Sequence, residues 1–336
     1  MTDILTLWPP HRISKESLRC ASTYALQNDH YTHRGCFCYY EFMNIPTKKL
    51  ESGFELPVYG LGIWKMGGRW EADTSKDDEE IMAIRATLDA GVTHIDTAES
   101  YGNGHAEELL KKAIEGYNRS KLIIATKVSA DNQTYEGVHN SFEASLERMG
   151  LDYVDLYLLH RFPAPGIDIA DTMRAMDELV EQGLVKNIGV CNMTPHRFDE
   201  VQKLTKNKLV CNQVHYNVQY REIEDKGVLK HSQENDVMLV AWRPLQKGIL
   251  PETDLLKELA EKYNKTPTQI AINWLTSQMN VVTLSKTSNI EHLYENLGAL
   301  GWTMDDDDIE RVRNEFPDQQ LVSDAVPLDY EADIPA

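Results

Sequence analysis

From Val58 onward, short apolar runs rich in Val, Ile and Leu alternate with amphipathic stretches of roughly ten to fifteen residues, a pattern that argues a parallel sheet covered by helices. Eight runs read as strands: Val58–Trp64, His94–Thr97, Leu122–Lys127, Val154–His160, Val185–Cys191, Val210–His215, Met238–Trp242 and Val281–Ser285. The helices between them carry their own punctuation. Asp77 and Asp78 are expected to cap a helix whose Ile81, Ile84 and Leu88 share a face and which stops at Gly91. Met173, Met176 and Leu179 or Val180 repeat that spacing up to Gly183, a stripe that reads as core. Further helices are expected over Ser141–Met149 and Asp254–Tyr263, and another opens at Pro267 with Thr266 as its cap. Eight strand–helix units between Val58 and Gly298 fit an α/β fold of the (β/α)8 barrel type. A doubly wound open sheet is the alternative, weakened because no G-x-G-x-x-G follows the first strand.

The two ends do not share this pattern. Residues 1–42 hold four basic and four acidic residues without helical or alternating period, and are expected to lie outside the working fold. His30, His33, Cys36 and Cys38 fall there; imidazole and thiolate suit zinc, but Cys-x-Cys is tighter than the usual spacing, so no metal site is assigned. The unit that follows is expected to be a single barrel over residues 43–316, with an acidic tail over 317–336. Residues 301–336 carry eleven acidic and two basic residues, including the run Asp305 to Asp308, and read as a solvated tail after the last helix.

Composition narrows the class. Hydrophobic residues make up 42% of the 336 and charged residues 26%, enough for a full core. Five cysteines exclude a disulfide scaffold and favour a reducing, cytoplasmic setting. A net charge of −19 argues against nucleic-acid binding, and no apolar run is long enough to span a bilayer. Of that charge, −9 lies in residues 301–336.

In such a barrel, reactive groups sit at the C-terminal ends of strands. The second run ends in Asp96, followed by Tyr101; the third ends in Lys127 and the fourth in His160. A tyrosine is a poor acid–base group at neutral pH unless a cation favours its phenolate. Lys127 would supply that cation, Asp96 would hold the ammonium, and His160 would orient a carbonyl oxygen or share its proton. The set suits protonation of a developing alkoxide. Each residue alone also has an ordinary structural reading; their convergence carries the inference.

The string HIDTAESYGNG, then ATKV, DLYLLH, KNIGVCN, CNQVHYN, VAWRPLQKG and LSKTSNIEHLYEN, resembles the aldo-keto reductase family from about Met43 to Gly301. The resemblance implies a monomeric barrel that binds a nicotinamide cofactor without a Rossmann fold. It makes Asp96, Tyr101, Lys127 and His160 a catalytic tetrad with Tyr101 as general acid. Asn192 and Gln213 would bind the nicotinamide carboxamide, and Trp242 would stack on its ring. Cys191 stands where a serine is common, and reads equally as a buried strand-end thiol. Lys286 and Thr287 would face the 2′-phosphate, and Glu295 with Asn296 the adenine. Lys286 makes NADPH the expected cofactor, while His292, at a position where the family often has arginine, leaves NADH open. Trp64 and Trp70 would wall the substrate pocket, though Trp70 also reads as packing. Arg161, where many members have tryptophan, would either attract an anionic substrate or pair with a loop carboxylate.

The expected activity is NADPH-dependent reduction of small aldehydes or ketones, with hydride delivered by the cofactor. Two rivals differ in class. A nicotinamide-nucleotide-sensing regulatory subunit would not need the four-residue proton relay. A Schiff-base lyase would need Lys127 neutral and nucleophilic, which Asp96 and Tyr101 disfavour.

Overall fold

The computed structural model describes residues 42–245, 248, 250, 253–316, 323 and 326–329. The expectations about residues 1–41, including His30, His33, Cys36 and Cys38, lie outside them.

A hairpin that the apolar pattern did not signal precedes the barrel: β1 (Thr47–Lys49) pairs antiparallel with β2 (Glu55–Pro57). Three-residue strands are too short to show a period. Eight parallel strands then close on themselves: β3 (Tyr59–Gly62), β4 (His94–Asp96), β5 (Ile123–Val128), β6 (Leu156–Leu159), β7 (Ile188–Cys191), β8 (Leu209–His215), β9 (Met238–Trp242) and β10 (Val281–Ser285). The ring closes where β10 pairs with β3, Thr283 opposite Tyr59. The last two strands match the expected bounds. Two of the middle ones start late because Val154 and Val185 meet only in an isolated bridge ahead of β6 and β7.

Side chains alternate between faces along each strand, so residues two apart point the same way. Leu156 and Leu158 with Met238 and Val240, and Val282 with Leu284, form one apolar cluster, and Leu50 and Leu56 of the hairpin pack into it. Lys48 fastens the hairpin by donating to the carbonyls of Thr276 at 2.7 Å, Val281 at 2.7 Å and Gln278. Gly60 is glycine for a packing reason. A Cβ there would lie 2.8 Å from the ring of His94, which fills the space.

Outside the strands run α1 (Asp77–Asp89), α2 (His105–Ile114), α3 (Tyr135–Met149), α4 (Ile169–Glu181), α5 (Pro195–Gln202), α6 (Glu222–Asp225), α7 (Val228–Glu234), α8 (Asp254–Tyr263), α9 (Pro267–Ser277), α10 (Ile290–Leu297) and α11 (Asp306–Glu315). Asp77 and Asp78 do not cap α1. Lys76 holds the cap position without a side-chain bond, and the two aspartates form the first turn, where carboxylates complement the helix dipole. Thr266 and Gln269 form a complete capping box on α9. No helix among the described residues is long and apolar enough to cross a membrane.

The reading of a solvated acidic tail is corrected in two places. Asp305 holds the N-cap position of α11 without a side-chain bond to the helix, and Asp306–Asp308 form its first turn. Asp308 is buried, accepting from Lys262 at 2.6 Å, Tyr263 at 2.6 Å and Arg311 at 2.9 Å. Further on, Ser323 and Asp329 are docked on the barrel rather than solvated. Ser323 Oγ lies 2.9 Å from His215 Nδ1, and Asp329 accepts from the Thr194 amide at 2.8 Å and hydroxyl at 2.5 Å.

Candidate active site

The alternation along β4 and β5 turns Asp96 and Lys127 inward at adjacent strand ends, two residues beyond His94 and Ala125. Lys127 is fully buried, and its ammonium donates to Asp96 Oδ1 at 2.6 Å, the Thr97 carbonyl at 2.7 Å and the Tyr101 hydroxyl at 3.0 Å. Tyr101 opens a tight turn, Tyr101–Gly104, which returns the chain into α2. Gly102 in that turn has φ +56, and a Cβ there would meet the Gly67 carbonyl oxygen at 2.3 Å, so the position requires glycine. His160 follows β6, its ring 5.7 Å from that of Tyr101 and its Nδ1 3.5 Å from Ser100 Oγ.

These contacts set the protonation states. Burial pushes the Tyr101 hydroxyl up to about 12, against the pull of Lys127, so the phenol keeps its proton; the cation does not make a phenolate here. Burial opposes the Lys127 charge, but Asp96 and then Tyr101 outweigh it and hold the ammonium above its ordinary range. Burial, Lys127 and Arg161 together drive His160 well below the usual imidazole value, leaving it neutral. A permanently charged Lys127 is no Schiff-base nucleophile at neutral pH. The arrangement can donate a hydrogen bond, then a proton, from Tyr101 to an oxygen in the mouth.

Four further side chains, Gln213, Cys191, Asn192 and Trp242, form the adjoining wall. Gln213 on β8 donates to Asp96 Oδ2 at 2.8 Å, and its own Oε1 lies 3.9 Å from the Cys191 thiol. The Cys191 thiol is pushed up to about 12, chiefly by burial, so it stays protonated. Asn192, with φ 57, accepts at Oδ1 from Trp242 Nε1 at 3.3 Å. The Trp242 indole stacks on His215 with centroids 4.4 Å apart, and His215 stacks in turn on Tyr220 at 3.9 Å. The sequence did not signal the ties from Gln213 to Asp96 or from Asp329 to the Asn192 loop.

Trp64 packs 4.8 Å from the Tyr101 ring, and Trp70 lies edge-on to Trp64 at 4.9 Å but is half exposed. Arg161 is half-buried beside His160.

The residues expected at the adenosine end are less uniform. Lys286 follows β10 and reaches a surface pocket, whereas His292 is exposed on the first turn of α10. Thr287 Oγ1 donates to the Asn289 carbonyl at 3.0 Å. Glu295 accepts from Thr266 Oγ1 at 2.9 Å, and Asn296 is buried, donating to Tyr59 at 3.2 Å and Ser285 at 3.3 Å. Both side chains are thus engaged within the protein. Size does not locate the site: a surface hollow of about 940 Å³ lies at the C-terminal ends of α2 and α3, away from the strand ends that carry Asp96, Lys127 and His160.

A parallel eight-stranded barrel thus carries a buried Asp–Lys–Tyr array and a neighbouring histidine at the ends of its strands. The family model "Aldo/keto reductase family" matches residues 59–314. Glyoxal reductase of Bacillus subtilis is 33% identical over 267 residues, 79% of this chain and 91% of that protein. Methylglyoxal reductase YeaE of Escherichia coli is 34% identical over 251 residues, 73% of this chain and 86% of that protein. Among solved structures, the thermostable aldo-keto reductase Tm1743, in complex with the inhibitor epalrestat, superposes with a TM-score of 0.78 at 38% identity, covering 80% of this chain and 99% of that one. An aldo-keto reductase from Klebsiella pneumoniae in complex with NADPH gives 0.73 at 29% identity, covering 83% and 98%. The chain belongs to the aldo/keto reductase family and is an NAD(P)H-dependent oxidoreductase.

Proposed function

We propose that this chain reduces small aldehydes and dicarbonyls to alcohols with NADPH, using Tyr101 as the proton donor. The observation that carries this reading is the Tyr101 hydroxyl held protonated at the barrel mouth, 3.0 Å from a Lys127 ammonium that Asp96 clamps. Donor chemistry on the β7–β9 side fits a nicotinamide. A carboxamide needs one donor and one acceptor; Asn192 Nδ2 supplies the first, while Gln213, whose nitrogen is committed to Asp96, supplies the second through Oε1. When bound, the cofactor supplies a hydride to the carbonyl carbon.

The protein's part is electrostatic and positional. Tyr101 hydrogen-bonds the carbonyl oxygen and releases its proton as charge develops there, and Lys127 stabilises the phenolate left behind. Neutral His160 orients the same oxygen without competing as an acid. Trp64 closes one side of the mouth against water. Small dicarbonyl substrates are favoured because glyoxal and methylglyoxal reductases are among the similar proteins.

NADPH oxidation followed at 43–336 and full length, with glyoxal, methylglyoxal and an aromatic aldehyde, tests the activity. Tyr101→Phe should lower kcat by at least about a thousandfold, on the scale of losing a general acid with its hydrogen bond. Its affinity for NADPH should hold within about twofold, because the lost hydroxyl touches the substrate rather than the cofactor. In the wild type, a donor held near 12 keeps kcat/KM for reduction flat through pH 9, since the protonated form persists well above that. Turnover by Tyr101→Phe at the wild-type rate would remove Tyr101 from this role.

A further inference from the structure

The buried face of α2 is apolar at Ala106, Leu109, Leu110 and Ala113. Glu107 breaks it. Its carboxylate is completely enclosed, accepting from Thr126 Oγ1 of β5 at 2.6 Å and from Arg148 Nε of α3 at 2.7 Å, and Arg148 also donates to Ser145 Oγ at 3.1 Å. A glutamate at the third position of a helix often folds back on the cap amide, whereas this one is committed to the barrel wall and the next helix. Burial raises its carboxyl from the ordinary value, and Arg148 is the chief influence against that. Replacing such an enclosed pair by apolar side chains of similar volume is often neutral for stability. A charged pair kept in an otherwise apolar interface therefore points to a task other than stability.

The neighbours of the pair indicate the task. Adjacent residues of a strand face opposite ways, so Thr126 points out to α2 while Lys127 points into the mouth, where it donates to the Tyr101 hydroxyl at 3.0 Å. On the other side, Arg148 lies against Gly104, the last residue of the turn that Tyr101 opens; a Cβ on Gly104 would come within 2.7 Å of Arg148 Cδ and Nε. That turn is costly backbone. Asn103 holds φ 53 between two glycines that are also at positive φ, and such a run persists only where its surroundings hold it. Glu107 thus ties both partners of the Lys127–Tyr101 hydrogen bond from behind, the strand through Thr126 and the turn through Arg148.

We propose that Glu107 and Arg148 are positioning residues for Tyr101, bracing the Tyr101–Gly104 turn against β5 so that the phenol stays in register with Lys127 and the mouth. The inference rests on the reading of Tyr101 as proton donor. A reacting group displaced by about 1 Å lowers a rate by roughly a hundredfold, so a loosened turn shows in the chemical step rather than in cofactor affinity.

Single-turnover oxidation of prebound NADPH by methylglyoxal, expressed per folded molecule, tests this alongside urea unfolding and an NADPH titration of the same full-length preparation. Arg148→Lys keeps a cation for Glu107 but removes the planar group packed on Gly104. Glu107→Gln keeps an acceptor for Thr126 but withdraws the charge that holds Arg148. Each should slow the chemical step about tenfold to a hundredfold, with the NADPH dissociation constant within about twofold of wild type. The double variant should be no slower than the slower single, because both break one unit. A rate within about twofold of wild type in Arg148→Lys, or a loss of rate that only tracks lost folded protein, would make the pair structural and overturn the proposal. Arg148→Lys decides the matter even where Glu107→Gln does not fold. Tyr101→Phe turning over at the wild-type rate would instead overturn the donor reading, and this inference with it.

Discussion

At the scale of single residues, burial decides protonation throughout the barrel interior. His94 makes this plainest. It faces inward beneath Asp96, fully buried, with neither ring nitrogen hydrogen-bonded, and burial lowers its pKa to about 4, with Lys127 adding to the effect and Asp96 and Asp155 opposing it. The sign follows directly. Between pH 6.5 and 4 the unfolded chain binds a proton at this position and the folded chain does not, so stability falls as pH falls through that window. At pH 5 the loss attributable to His94 is about 2 kcal/mol. His94→Phe should therefore lose much less stability than wild type between pH 8 and pH 5, measured by urea unfolding at both. An unaltered pH difference would sink this assignment. The placement of the candidate site was readable at this scale wherever it depended on strand-end position, as for Asp96, Lys127 and His160. Protonation was not readable where it depended on competition: the sequence places Lys127 beside Tyr101, but only the enclosure of both shows that burial outweighs the cation and keeps the phenol protonated.

Secondary-structure elements were legible in proportion to their local signals. The bounds of α8 and the start of α9 coincide with expectation because Thr253 and Thr266 each cap the helix they precede, and Pro267 fits the first helical position. Helix α3 begins at Tyr135, six residues before the expected Ser141, because its start is set by Thr134 accepting from the Gly137 amide rather than by an apolar stripe. The hairpin β1–β2 escaped notice altogether, since its place is fixed by tertiary contact. Lys48 makes that contact, neutralising carbonyls at and beyond the C-terminal end of α9, where helices leave acceptors unpaired. Lys48→Met should cost about 2–3 kcal/mol, the range for removing charge-assisted bonds to buried acceptors. Because these contacts lie at the opposite end of the strands from Tyr101, kcat per folded molecule should stay unchanged. Equilibrium unfolding and turnover on the same preparation check both halves, and a cost below about 0.5 kcal/mol would show that the hairpin is held by Leu50 and Leu56 alone.

For the whole molecule, the question is which stretches of chain the active barrel needs. Charge patterning set residues 301–336 apart as acidic excess, yet Asp308 is buried among Lys262, Tyr263 and Arg311, and Asp329 reaches the wall of the mouth. Composition could not show this, because the cations and amides that use those carboxylates are distant in sequence. Asp329 accepts from Thr194 through its carboxylate, and its amide donates to the Asn192 carbonyl at 2.8 Å. Asn192 is held in a left-handed conformation between that bond and its own amide bond to the Gln213 carbonyl at 2.9 Å. Removing one tether releases a residue whose backbone conformation costs free energy and whose side chain faces the proposed nicotinamide position. Residues 43–336 should therefore match the full chain in kcat/KM, consistent with a working unit that starts after residue 42. A chain ending at residue 316 should fold but bind NADPH about tenfold more weakly, and Asp329→Ala in the full chain should reproduce most of that loss. If truncation at 316 leaves NADPH affinity intact, the Asp329 tether does not set the Asn192 loop, and the barrel over 43–316 suffices by itself.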